Sequence, residues 1–302
     1  MLSAMTCTRR GALFGGLALA ACAPRIAGST SVAAFPPPDD ERFAAIERRI
    51  GGRVGVAAFD TGSSAWLGHR MQERFAMCST FKWLLAAQML HADMRMPGWL
   101  QREIFFSEND LLEHAPAARA NLARRAMTIE EMCEAIVVVS DNTCANLLLS
   151  EAGSPFGFTM FLIERGDSIT RLDRREPELN EVPPGDERDT TSPQAMVLNL
   201  ERFLLTDEVL NPAAREKLAG WMVASATGRE RLRAGLPSDW RVGDKTGTWV
   251  GPTNATNDVA VAWPPGRAPI LIACYLSAST IEYAQRNAAH AEIGRIIAEE
   301  WA

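Results

Sequence analysis

The chain is short of several things that would direct its reading elsewhere. Its 302 residues include four histidines, His69, His91, His114 and His290, spaced far apart and without metal-ligand spacing. None of the six cysteines forms a C-x-x-C pair. Together these absences make a zinc centre or a metallo-hydrolase a poor reading. Lysine and arginine are scattered, with no basic stripe and no interleaved aromatics, so nothing points to nucleic acid. No apolar run approaches the roughly 20 residues needed to span a bilayer as a mature helix. What remains, a formal charge of −6 with 47% hydrophobic residues, suits a large globular core in one big domain or two.

The first residues read as an export signal rather than as fold. Arg9-Arg10 precedes a short apolar run, Gly11 to Ala21, in the manner of a twin-arginine leader. Two cleavage readings stand. Leu19-Ala20-Ala21-Cys22 resembles a lipoprotein box, which would attach the chain to a membrane through a lipidated Cys22. Ordinary cleavage after Ala23 is the other, so residues 1–23 are assigned to the signal peptide. Residues 24–38, with three consecutive prolines, read as a flexible tether. The expected location is the periplasm, and the expected state a monomer. Cys78, Cys133, Cys144 and Cys274 are read as small buried hydrophobes.

Strand and helix signals divide the mature chain unevenly. Phe43, Ile46 and Ile50 recur at helical spacing after Asp39-Asp40. Two strand-like runs then flank Asp60-Thr61-Gly62-Ser63, a hairpin signal. A long helical stretch follows, punctuated by a capping box at Thr128 to Glu131 and by capped prolines at Ser192-Pro193 and Asn211-Pro212. Strand character returns at 240–249, 257–263 and 269–277, and an amphipathic helix runs from about Tyr283 to Trp301. Joining the hairpin to the late strands gives an α+β, two-lobed fold. Its five-stranded antiparallel sheet is flanked by the N- and C-terminal helices (residues 39–70 and 223–302), and residues 71–222 form an all-helical lobe. A small-molecule site belongs in the cleft between them.

Four short patterns carry chemistry. Ser79-Thr80-Phe81-Lys82 opens a helix apolar on every side, which belongs inside a domain. The hydroxyl and the amine lie one turn apart, and burial disfavours the ammonium, so Lys82 could serve as a base. Ser140-Asp141-Asn142 stands at a junction between helices, where Asp141 can cap the second one. Arg174-Arg175-Glu176-Pro177-Glu178-Leu179-Asn180 lies in a long polar loop. There Glu176 and Asn180 could hold a water, and Arg174 could pair with Asp189 across the neck. Lys245-Thr246-Gly247-Thr248 lies on a strand. It offers a cation, a hydroxyl, and a backbone to which a ligand's acyl group can lie close. Each pattern taken singly is weak, and reads equally as a cap, a solvated loop or an ordinary strand.

Taken in order, S-x-x-K, S-D-N, E-x-x-L-N and K-T-G resemble the class A serine β-lactamases, from about Asp39 to the C-terminus. The resemblance implies the two-lobed fold, no metal and no cofactor, and a small-molecule β-lactam hydrolysed through an acyl-serine. It makes Ser79 the nucleophile, with Lys82 or Glu176 taking its proton. Ser140 relays a proton to the ring nitrogen near Lys245, and Glu176 with Asn180 activates water. The N–H groups of Ser79 and Thr248 form an oxyanion hole. Asn142 binds the substrate side chain, and Thr246, Gly247 and Thr248 bind the substrate as well. Thr256 stands where many relatives carry an arginine, which makes Arg231 the expected cation for the substrate carboxylate.

The chain departs from the family pattern in four places. His114 replaces an aromatic at the cleft mouth. Trp249 stands where carbapenem-hydrolysing relatives place the partner of Cys78, so that disulfide cannot form. Ala86 stands where Cys133 would find its partner. The segment Val250–Ala255 is about two residues longer than usual. The nearest alternative is a penicillin-binding D,D-peptidase or sensor that acylates without turnover, and Glu176 with Asn180 argues against it. A catalytically dead, lipid-anchored binding protein is a further alternative.

Overall fold

A computed structural model describes residues 39–301; the leader, the tether and Cys22 lie outside the described residues. Helix α1 (Glu41–Ile50) is capped by Asp40, whose carboxylate accepts from the Arg42 N–H at 2.8 Å. It carries Glu41 in its first turn and Arg48 and Arg49 in its last, charges that suit the helix dipole. Strands β1 (Arg53–Asp60) and β2 (Ala65–His69) form the expected hairpin. The middle of the chain supplies α2 (Lys82–Arg95), α3 (Pro116–Ala120), α4 (Ile129–Val138), α5 (Asn142–Glu151), α6 (Ser154–Ile163), α7 (Pro193–Leu204) and α8 (Pro212–Val223). It also holds two short antiparallel ladders. β3 (Phe75–Ala76) pairs with β6 (Thr190–Thr191), and β4 (Glu103–Phe105) pairs with β5 (Ala126–Thr128). Pairs this short carry too little pattern to be read from sequence. The chain closes with α9 (Leu232–Gly235), β7 (Arg241–Trp249), β8 (Ala255–Trp263), β9 (Ile270–Ser277) and α10 (Tyr283–Trp301).

The long strands form one antiparallel sheet in the order β2-β1-β9-β8-β7, as expected from the two strand groups. Strand β8 begins at Ala255, two residues before the position expected, because it pairs with β7 as far as Trp249. Both faces of the sheet are covered. Val54, Val56 and Ala58 pack with Ile272, Leu276, Phe43, Ile293 and Ile297 under α1 and α10. Ala57, Phe59, Val259, Ala273 and Tyr275 face the helical block. Alternation along each strand therefore divides two apolar layers, and the sequence shows unbroken hydrophobic runs. Helix α2 crosses the second layer with Trp83, Leu84, Leu85, Ala86, Ala87 and Met89 all buried. Each large side chain there is worth about 1.5–3 kcal/mol, which fixes the turn ahead of the helix as firmly as the core itself.

Two glycines bring α9 against α10. A Cβ on Gly235 would lie 1.7 Å from the Ala291 carbonyl oxygen, and one on Gly294 would lie 2.5 Å from that of Leu232. This contact holds the residue preceding α9, Arg231, at a fixed depth beneath the sheet edge. Gly235→Ala should destabilise the protein by about 1–3 kcal/mol in urea unfolding with little change in m. A midpoint indistinguishable from that of the parent would show that the helices can part freely.

Candidate active site

The nucleophile candidate sits on a turn of 3₁₀ helix, Cys78–Phe81, that runs directly into α2. Ser79 and Lys82 accordingly share a face. Cys78, just ahead, has φ +45°, a left-handed conformation that a side chain rarely adopts and that recurs at functional turns. Strand β7 lies against this turn. A Cβ on Gly247 would come within 2.6 Å of the Met77 carbonyl oxygen and 3.1 Å of the Cys78 Cβ. Glycine is thus required here by the protein's own backbone, whatever it does for a ligand.

Ser140 also has φ +59°, at the junction between α4 and α5. Asp141 caps α5 through the Cys144 N–H at 2.8 Å, and its other oxygen accepts from Ala117 and Ala118. That buried carboxylate pins the junction and aims its neighbours inward. The Ser140 hydroxyl accepts from Lys245 Nζ at 3.0 Å and lies 3.5 Å from Lys82 Nζ. Lys82 also donates to the Ser140 carbonyl at 2.9 Å and to Asn142 Oδ1 at 2.5 Å. Lys245 is wholly buried; that burial, with the charge of Lys82 added, pushes its pKa well below the ordinary lysine value. The two lysines thus bracket one serine.

Glu176 completes the cluster from the other side. Its Oε1 lies 2.9 Å from Lys82 Nζ, with both side chains fully buried, and accepts from the Ser79 hydroxyl at 3.3 Å. Its Oε2 accepts from Asn180 Nδ2 at 2.6 Å. The expected ion pair across the loop neck is present: Arg174 Nε meets Asp189 at 2.6 Å, and Asp189 also accepts the N–H groups of Asp173 and Arg174. Among the described residues the Lys82 ammonium makes no hydrogen bond to the Ser79 hydroxyl; Glu176 bonds to both.

Asn146 was not singled out from the sequence. Its amide holds the Glu176 backbone reciprocally, Oδ1 accepting from the N–H at 3.0 Å and Nδ2 donating to the carbonyl at 2.9 Å. The available signal was an asparagine interrupting the apolar run Ala145 to Leu149, one turn beyond Asn142.

The cleft in front of these groups has a volume of 580 Å³. Ser79, Ser140, Asn142, Glu176, Asn180, Arg231, Thr246 and Thr248 line it; Lys82, Lys245 and Gly247 stand behind that lining. The sequence between residues 40 and 301 matches the model of the β-lactamase enzyme family. The chain belongs to that family. It is 44% identical over 301 residues to β-lactamase L2 of Stenotrophomonas maltophilia, covering 97% of this chain and 98% of the relative. It is 42% identical over 259 residues to the carbapenem-hydrolysing β-lactamase KPC of Klebsiella oxytoca, covering 86% and 87%. Among solved structures, the last common ancestor of Gram-negative bacteria β-lactamase class A superposes with TM-score 0.84 at 50% identity, over 87% of this chain and 98% of that one. L2 complexed with relebactam gives 0.82 at 48%, over 86% and 95%. The fold is that of the class A β-lactamases.

In this β-lactamase-family chain the far end of the cleft differs most from expectation. Arg231 does line it, but is 1% exposed, with its guanidinium threaded beneath β7. It donates to Gly247 O at 3.0 Å, Asn257 O at 2.6 Å, Asn287 Oδ1 at 3.0 Å, Thr248 Oγ1 at 2.6 Å and the Tyr283 hydroxyl at 2.9 Å. Thr246 donates to Thr227 at 2.7 Å. Neither Thr227 nor Tyr283 carried a signal, because each arrives from an element remote in sequence. His114 and Trp249 stand at the cleft as expected, and all four described cysteines are buried and free.

His290 of α10 supports the same corner, facing the Thr256 carbonyl at 3.0 Å. Burial first, and then the charge of Arg231, push its pKa from 6.5 down to about 3. The folded pKa is depressed, so between these values the unfolded chain binds a proton that the folded one refuses. Stability attributable to His290 should be complete above pH 6.5 and fall as pH drops toward 3, by up to about 1.4 kcal/mol per unit. His290→Gln should flatten that slope in urea unfolding measured at pH 7, 6, 5 and 4, and an unchanged slope would assign the acid sensitivity to other groups.

Proposed function

We propose that this chain hydrolyses the β-lactam amide of penicillins and cephalosporins through an acyl-serine on Ser79, and so confers antibiotic resistance. The carrying observation is that one buried carboxylate, Glu176, touches Ser79, Lys82 and Asn180 at once. In the first half-reaction the Ser79 oxygen bonds to the lactam carbonyl carbon and the C–N bond breaks. Lys82 or Glu176 takes the hydroxyl proton, so that acylation does not depend on Glu176 alone. Ser140, backed by Lys245, passes a proton to the departing ring nitrogen and is reprotonated by Lys82, which carries across the proton taken from Ser79. The N–H groups of Ser79 and Thr248 receive the oxyanion, a donation worth about 10²–10³ in rate per donor. In the second half-reaction Glu176, ionised because any proton it took has moved on through Lys82, takes a proton from water, steered by Asn180. The water oxygen bonds to the acyl carbon, the ester C–O bond breaks, and the proton on Glu176 passes to the Ser79 oxygen to restore the hydroxyl. Asn142 binds the substrate side-chain amide, while Thr246 and the backbone at Gly247 and Thr248 hold the other end of the substrate.

The relatives' names support the substrate class, and L2 has been solved in complex with relebactam. KPC is named for carbapenems. Here Cys78 is free and Trp249 ends β7 beside the cleft, and carbapenem hydrolysis is not part of the proposal.

Purified protein should turn over a chromogenic cephalosporin rapidly, and Glu176→Ala should accumulate a stable adduct on Ser79 by intact-mass spectrometry. A long-lived adduct in the parent would instead mean a stalled penicillin-binding sensor or peptidase, and neither turnover nor adduct would mean a dead binding protein.

Export to the periplasm by the twin-arginine route and attachment through Cys22 belong to the same proposal and rest on the leader sequence alone; a monomeric state is proposed with them. Cells fed a labelled fatty acid should label the parent but not Cys22→Ala; an unlabelled parent would leave cleavage after Ala23.

A further inference from the structure

Arginine offers five N–H donors in a rigid fork. In Arg231 each of them already has a protein acceptor: two main-chain carbonyls, Asn287, Thr248 and Tyr283. The guanidinium therefore has charge to give an anion in the cleft, but no hydrogen bond. Two of its acceptors are hydroxyls on the cleft wall, and a hydroxyl that accepts still has its own proton to donate.

Tyr283 is the more telling of the two. It opens α10 and is 43% exposed, and its phenol O–H has no acceptor among the described residues. Two guanidiniums lie near its ring, Arg231 at 5.8 Å and Arg286 at 5.7 Å from the centroid. Burial raises the phenol pKa, but the charge of Arg231 and its hydrogen bond outweigh this and bring it below 10, the mark of a polarised donor. Neither the leader nor any of the four sequence patterns involves this residue.

We infer that Tyr283 is a substrate-binding residue, its O–H donating to the carboxylate on the ring fused to the lactam, beside Thr248 and with Arg231 as the charge behind both. This rests on the hydrolase reading above. Arg231 then acts as a positioning residue, turning two neutral hydroxyls into a charge-assisted pair while staying out of solvent.

The test compares KM for a cephalosporin and for its methyl ester in the parent and in Tyr283→Phe. KM is read because a partly unfolded preparation lowers apparent kcat and leaves KM alone. The variant should raise KM for the free acid by about tenfold or more, the loss of one hydrogen bond to a charge, with no matching rise for the ester. KM moving equally for both substrates would mean that Tyr283 only shapes the wall, and KM moving for neither that it makes no contact; either overturns the inference. A parent that turns over neither substrate would overturn the hydrolase reading and this inference with it, whereas normal turnover with an unmoved KM overturns this inference alone.

Discussion

The contact between Glu176 and Lys82 is the constraint on which the site depends. Both side chains are buried, and each charge would be costly to bury alone. The surroundings answer that cost from every side. Lys82 spreads its donors over Ser140 and Asn142, and Glu176 receives Asn180 and Ser79. Removing one partner would leave the other stranded, so the loop bearing Glu176 and the helix bearing Lys82 hold one another in register. Asn146 and the Arg174–Asp189 pair then fix the loop backbone, and the carboxylate has little freedom to leave.

Arg231 plays the corresponding part at the other end of the cleft. It joins β7, β8, the segment ahead of α9 and the first turns of α10 through a single side chain. Such a guanidinium is as much a structural bolt as a ligand-binding group. Its burial is possible because glycines let α9 and α10 approach closely. Its charge in turn helps to keep His290 neutral and to polarise Tyr283. Stability and binding are coupled through the same few atoms.

Much of the fold was legible because its signals are local. Asp40, Thr128, Asp141, Ser192 and Asn211 all cap the helices they precede, and the last helix spans Tyr283–Trp301 as read. The sheet followed from a simple need, since a hairpin and three late strands must find partners. The two short ladders escaped because two or three residues make no period. The site was legible as a set of motifs but not as a network. Spacing placed Lys82 one turn from Ser79, yet in the folded chain it is Glu176 that bonds to both.

The amino-acid order alone determined the element types, the sheet's membership, the four chemical patterns and the family they resemble. Each of these rests on periodicity, capping or motif, which act over a few residues. Only the tertiary structure decided how donors are distributed. Arg231 is the expected carboxylate cation in sequence, and in the fold all five of its N–H donors are taken by protein acceptors. Tyr283, 52 residues away, carried no signal and yet holds an open hydroxyl at the cleft. Hydrogen-bond saturation is a property of neighbours in space, and no local pattern encodes which acceptors a buried guanidinium will meet.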